Sequence, residues 1–194
     1  MKTYYDRRAE EYDDWWLGEG LYADRVRPGW DEELRVLEGV VADLPPVRTL
    51  DVACGTGFLT RHLRGDVVGL DASDRMLEVA RRQLPRATFV RADALELPFE
   101  NGEFDRVFTS YFYCHLEEEE RARFLAESRR VARELVVVAS VPGEGDPLER
   151  WEERRLGDGS TWTVFKRVFT GAQLADELDG EVVFEGGWFV VVRA

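Results

Sequence analysis

The stretch Thr49-Leu-Asp-Val-Ala-Cys-Gly-Thr-Gly-Phe-Leu-Thr60 constrains this chain more than any other, because an apolar run passes in it directly into closely spaced glycines. Such a run, bounded by a glycine turn, reads as a buried strand, and the spacing predicts a helix opening at Gly57. Between the carboxyl end of a parallel strand and a helix N-terminus, small residues let a ligand approach the main chain, where free N–H groups can meet it. Asp71, twenty residues beyond Asp51, closes a second apolar run, Val67-Val-Gly-Leu-Asp71. An acid at that place can accept hydrogen bonds from both hydroxyls of a ribose.

The rest of the chain supplies the frame for such a site. Two helical stretches are expected first, Tyr4 to Leu17 with Tyr5, Tyr12, Trp15 and Trp16 near one side, and Asp31 to Ala42 with Leu34, Leu37 and Val41 repeating. After Pro45 and Pro46 the pattern alternates: strands at Val47–Ala53, Asp66–Leu70, Ala87–Arg91, Asp105–Thr109 and Glu134–Ser140, with helices from Gly57, over Asp74–Gln83 and over Glu117–Val131. That order implies a parallel sheet with right-handed crossovers. Beyond Pro142, Trp151 to Lys166 reads as a hairpin around Gly157-Asp158-Gly159, followed by a helix capped by Thr170 and a second hairpin around Gly186-Gly187. The expectation is one α/β domain over 1–194: an N-terminal helical lid (1–44), a ligand-binding core (45–140), an inserted hairpin (141–168) and a closing helix and hairpin (169–194).

Composition narrows the partners. The chain has 194 residues with 44% hydrophobic content, enough for a substantial core. Its formal net charge of −13 repels phosphate backbones and anionic membrane surfaces, so neither nucleic acid nor membrane is expected. Cys54 and Cys114 show no metal-binding spacing and are too few for a disulfide framework, the N-terminus has no signal-peptide pattern, and the apolar runs are far short of the roughly 20 residues a membrane span needs. A cytoplasmic protein without a metal site, monomeric or homodimeric, is expected.

Dinucleotide enzymes share the geometry of the first loop, but their Gly-x-Gly-x-x-Gly fingerprint puts a third glycine where this chain has Thr60. Asp51 would lie close to a pyrophosphate, whereas its charge suits an amino group. A ligand with a ribose and an amino acid fits better. With these residues the chain resembles the class I S-adenosylmethionine-dependent methyltransferases, specifically small bacterial enzymes with an Asp-Val-Ala-Cys-Gly-Thr-Gly first motif, over roughly Tyr4 to Ser140. The resemblance implies a Rossmann-like, doubly wound, mostly parallel seven-stranded sheet with an antiparallel C-terminal hairpin, and S-adenosyl-L-methionine as cofactor. It implies that Asp51, Ala53, Gly55 and Gly57 wrap the methionine portion, Asp71 and Ala72 meet the ribose, Met76 packs on the adenine, and Asp93, Ala94 and Leu95 meet its edge. Ala53 stands where many relatives have a first glycine. Ser110, in Ser110-Tyr-Phe-Tyr-Cys-His-Leu116, would hold the methionine end, and Tyr5 and Tyr12 would belong to an aromatic lid.

Methyl transfer from a sulfonium is an in-line displacement that chiefly needs alignment and exclusion of water. His115 is the candidate general base or, alternatively, a histidine that holds the loop; Tyr111 and Tyr113 can contact acceptor or sulfonium, the latter through cation–π attraction, or simply pack. Thr109-Ser-Tyr-Phe112 replaces the Asn/Asp-Pro-Pro-Tyr of the family's adenine and glutamine N-methyltransferases, which points to a small acceptor, expected to be apolar or aromatic, attacked through O, N or C. Menaquinone-type C-methyltransferases share the first motif but are longer. Two other readings stay open at this level: a protein that binds the cofactor without catalysis, and an NAD-type oxidoreductase, for which the Tyr-x-x-x-Lys pair is missing.

Overall fold

The computed structural model describes residues 2–194. In chain order the helices are α1 (Lys2–Arg8), α2 (Asp14–Leu17), α3 (Trp30–Asp43), α4 (Asp74–Gln83), α5 (Glu118–Val131) and α6 (Gly171–Leu178). The strands are β1 (Thr49–Val52), β2 (Val67–Asp71), β3 (Thr88–Arg91), β4 (Arg106–Ser110), β5 (Glu134–Ser140), β6 (Glu149–Arg155), β7 (Thr161–Arg167), β8 (Glu181–Glu185) and β9 (Phe189–Arg193).

The main sheet has the order β3-β2-β1-β4-β5-β9-β8, parallel from β3 to β5 and antiparallel at β9 and β8. β1 is entirely buried and β4, β5 and β9 nearly so, as their Val- and Leu-rich runs require of strands covered on both faces, whereas the edge strands β3 and β8 are mostly exposed. Chain order reverses between β1 and its neighbours β2 and β4, so the loops leaving β1 and β4 part there and open a crevice.

Local chemistry sets the helix ends. The Ser73 hydroxyl accepts from the Met76 N–H at 3.1 Å, with Asp74 in the first turn of α4 and Arg81 and Arg82 in its last. Thr170 and Gln173 form a reciprocal capping box on α6.

Two expectations are corrected. No α-helix follows Gly57: residues 60–62 form a single 3-10 turn. Gly57 sits at φ 83°, outside helical geometry, and the Thr60 hydroxyl turns inward to Asp51 at 2.6 Å, which holds the segment against β1. The opening helix is likewise broken, into α1, a 3-10 turn at Ala9–Glu11 and α2. Asp13 lies at the second break, accepting from the Thr56 hydroxyl at 2.5 Å and the Gln83 amide at 2.8 Å, so the arm wraps over the β1 loop instead of running straight.

The strands β6 and β7 form a separate antiparallel ribbon. It packs on α1 through Tyr4, Leu156 and Val164, with Tyr5 and Trp162 alongside.

Candidate active site

The crevice is built from backbone held in uncommon geometry. Ala53, at the end of β1, has φ 57° and Tyr111, at the end of β4, has φ 55°. Both lie in the left-handed region that ordinary side chains avoid at a cost of order 1–3 kcal/mol, and both stand where the two central loops leave the sheet. Gly55, also at φ 57°, carries the turn onward, and its N–H donates to Asp71 Oδ2 at 3.0 Å. The Ser73 N–H donates to Asp71 Oδ1 at 2.8 Å. Two backbone donors thus fix the Asp71 carboxylate, which keeps further lone pairs for a ligand.

A cavity of about 270 Å³ occupies this crevice. Its walls include Tyr5, Tyr12, Ala53, Gly55, Asp71, Ala72, Met76, Asp93, Ala94, Leu95, Ser110, Tyr111 and His115, which is nearly the whole set singled out from the sequence. Burial pushes the Asp71 carboxyl up to about 6 against the pull of its backbone donors. Asp93 accepts from the Leu95 N–H at 2.9 Å, which aims the Ala94–Leu95 backbone along the rim. Tyr5 and Tyr12 roof the cavity from the N-terminal arm, their rings 6.4 Å apart, and burial raises both phenols, Tyr12 to about 12.

Asp51 and Gly57 stand behind this wall. Asp51 is 2% exposed, accepts the Thr60 hydroxyl and is pushed up to about 7, by burial first and then by the charge of Asp71. A Cβ on Gly57 would sit 2.9 Å from Leu84 Cδ1 and 3.7 Å from the Ala80 Cβ, so this glycine admits the end of α4 to the loop.

The segment after β4 divides in two. Tyr111 and His115 face the crevice, but Tyr113 follows the packing alternative: it is buried away from the crevice and donates its hydroxyl to Glu177 at 2.6 Å. His115 Nδ1 lies 2.7 Å from the Phe165 carbonyl oxygen on β7. A carbonyl can only accept, so Nδ1 carries the proton and Nε2 is the ring's acceptor. Burial first, and then Arg154, lower His115 to about 3.

Sequence reasoning missed the cationic side chains that line the second half of the site. A larger cavity of about 690 Å³ adjoins the first, and Tyr5, Tyr12, Tyr111 and His115 line both. Arg8, Arg154 and Lys166 are among its other walls. The signal for them was the Arg150, Glu152, Arg154 alternation in β6, which by pattern alone is a solvent-facing stripe. Among the described residues no group of acids, histidines or cysteines could hold a metal ion, and no helix is long and apolar enough to cross a membrane.

The family model described as "Methyltransferase domain" matches residues 49–134, which run from β1 to the start of β5. A demethylmenaquinone methyltransferase of Thermotoga maritima is 32% identical over 146 residues, 71% of this chain and 60% of that protein, so this chain spans less than two thirds of the length of that relative. Among solved structures, one described as the DhpI-SAM-HEP complex superposes with a TM-score of 0.77 at 24% identity, covering 98% of this chain and 94% of the other. A second, the DhpI-SAH complex, gives 0.72 at 26% identity over 98% and 92%. Residues 49–134 thus match a methyltransferase domain, and the chain as a whole is similar in sequence and fold to class I S-adenosylmethionine-dependent methyltransferases. The seven-stranded order with its antiparallel hairpin is shared with these structural neighbours, and the crevice of this chain lies at the switch point of that sheet.

Proposed function

We propose that this chain transfers a methyl group from S-adenosylmethionine to a small-molecule acceptor. The observation that carries the reading is Asp71: a half-buried carboxylate with no cationic partner among the described residues, fixed by the Gly55 and Ser73 N–H groups at the edge of a cavity. A diol is the ligand group that such a carboxylate fits, since two hydroxyls satisfy its free lone pairs without needing charge. Met76, Ala94 and Leu95 supply apolar surface for an adenine, and Ala53, Gly55 and Ser110 line the end suited to the methionine portion.

When bound, S-adenosylmethionine would supply an electrophilic methyl group with a neutral thioether as its leaving group. The chain's own residues align and dry the reaction. Tyr5 and Tyr12 roof the cavity, and Tyr111 stands at the junction of the two cavities, where its ring can face a sulfonium. His115, held neutral, accepts a hydrogen bond at Nε2 and so orients an acceptor more than it removes a proton. A small molecule suits the enclosed crevice, and the −13 net charge disfavours nucleic acid. Free Cys54 and Cys114 suit a reducing compartment such as the cytoplasm.

Calorimetric titration with S-adenosylmethionine, S-adenosylhomocysteine and NAD tests the reading. Binding of the two adenosyl ligands without NAD is expected; silence of both with a folded protein would overturn it.

A further inference from the structure

The ribbon β6–β7 reverses the usual polarity of a surface hairpin. Trp151 on one face is 62% exposed, while Arg150, Glu152 and Arg154 on the other turn inward, paired in register with Lys166, Val164 and Trp162. Charged side chains are expensive to bury, so a fold that exposes a tryptophan and encloses arginines has something for those arginines to meet.

What they line is the larger cavity. Arg8, Arg25, Arg150, Arg154, Arg155 and Lys166 contribute to its walls against two carboxylates, Glu152 and Glu153, in a chain whose overall charge is strongly negative. Glu152 is already shared, accepting from Arg150 Nε at 2.8 Å and from Arg154 at 3.1 Å. Arg8 is 5% exposed, bonds only the Tyr4 and Tyr22 hydroxyls, at 2.9 and 3.3 Å, and keeps a buried Nε with no partner. Tyr12 lies under its guanidinium at 4.8 Å, which fixes the group without neutralising it. Lys166 is half-buried, and among the described residues no carboxylate lies within ion-pair distance of it or of Arg8. Cations left so, one of them nearly sealed from water, form a preset anion site.

We propose that this cavity is the acceptor subsite and that it takes a small molecule carrying an oxyanion head, a phosphate, phosphonate or carboxylate group, gripped by Arg8, Arg154 and Lys166. The aromatic side chains on the same walls, Trp15, Tyr22 and Tyr111 among them, leave apolar surface for the rest of the acceptor. The shared wall of Tyr5, Tyr12, Tyr111 and His115 puts the head beside the cofactor crevice, so the attacking atom lies within a few bonds of the anion. The cationic wall also repels the sulfonium, which directs the cofactor's charge toward the Asp51 and Asp71 side of the crevice. This inference rests on the methyltransferase reading for the neighbouring ligand, and the test separates the two.

The 194-residue protein is titrated calorimetrically with S-adenosylhomocysteine, then, in parallel arms and at constant ionic strength, with inorganic phosphate and with acetate. The variants Lys166→Gln and Arg154→Gln are measured beside it, with Arg8→Gln added if it remains folded by circular dichroism. Saturable binding of phosphate or acetate, weakened about tenfold or more in Lys166→Gln with S-adenosylhomocysteine affinity retained, supports the proposal, and the arm that binds tells a phosphorus oxyanion from a carboxylate. Binding that neither variant alters would mark a diffuse surface effect and overturn it. Silence of both anions with S-adenosylhomocysteine bound would also overturn it while sparing the methyltransferase reading; anion binding without the adenosyl ligand would leave the anion site and remove that reading.

Discussion

At Asp71 burial works against a bare carboxylate and in favour of one that accepts hydrogen bonds from a ligand. Asp71→Ala should therefore weaken S-adenosylhomocysteine binding by ~2–4 kcal/mol, as read by calorimetry, and unchanged affinity would remove the residue from the site. Because the carboxyl is raised to about 6 and ligand hydroxyls favour its ionised form, wild-type affinity should decline as pH falls below about 6. Asp51 makes the complementary case in stability. Its folded pKa, about 7, exceeds that of an exposed aspartate, so the folded state binds the proton more tightly; the stability this confers is full at low pH and is lost as pH rises from about 4 through 7. Asp51→Asn keeps an acceptor for Thr60 and should raise thermal stability at pH 8, by up to ~2–4 kcal/mol, with the gain vanishing near pH 4. A melting series of both proteins across pH checks this. The two acids differ in legibility: Asp71 was marked by its place at a strand end, whereas nothing in the linear pattern shows that Asp51 is closed off behind Thr60.

Among the elements, α3 is tied to the terminal hairpin by hydrogen bonds from one side chain, beside the packing of Trp30 on Trp188 and Phe189. The Glu33 carboxylate accepts from the Gly187, Trp188 and Phe189 N–H groups at 2.8, 2.7 and 2.8 Å, and thereby fixes the turn between β8 and β9. Glu33→Ala orphans three donors and should cost about 2–4 kcal/mol by denaturant titration, more than Glu32→Ala on the same first turn, which makes no such bonds. Strands and helices with strong periodicity were legible almost to the residue: α4 and β5 fall on their expected bounds because a capped amphipathic run and a continuous Val run each leave one conformation. The segment after Gly57 was not, because glycine spacing specifies a turn but the inward rotation of Thr60 depends on an acid on β1. The arm before α3 failed in the same way, its break lying where Asp13 finds Thr56 and Gln83.

Across the whole molecule, α1 lies between α4 and the β6–β7 ribbon, so lid, ribbon and crevice share one contact chain through Tyr4, Tyr5 and Tyr12. Filling the crevice should therefore slow amide exchange in residues 2–17 and 149–167 together when S-adenosylhomocysteine is added, whereas protection confined to the β1 and β2 loops would show that arm and ribbon act independently. The sequence by itself determined the alternation of strands and helices of a parallel core, the glycine turn after the first strand and the acid Asp71 at the end of the second, since these follow from local periodicity and turn chemistry, whereas the Ala94–Leu95 edge was implied by the family resemblance. Only the tertiary structure decided that Tyr113 turns away, that His115 is held neutral against Phe165, and that Arg8, Arg154 and Lys166 surround one space. Those outcomes depend on partners distant in the chain, such as the 50 residues between His115 and Phe165, and on the direction a hairpin faces, which its alternation of charged and aromatic residues leaves open until it meets α1.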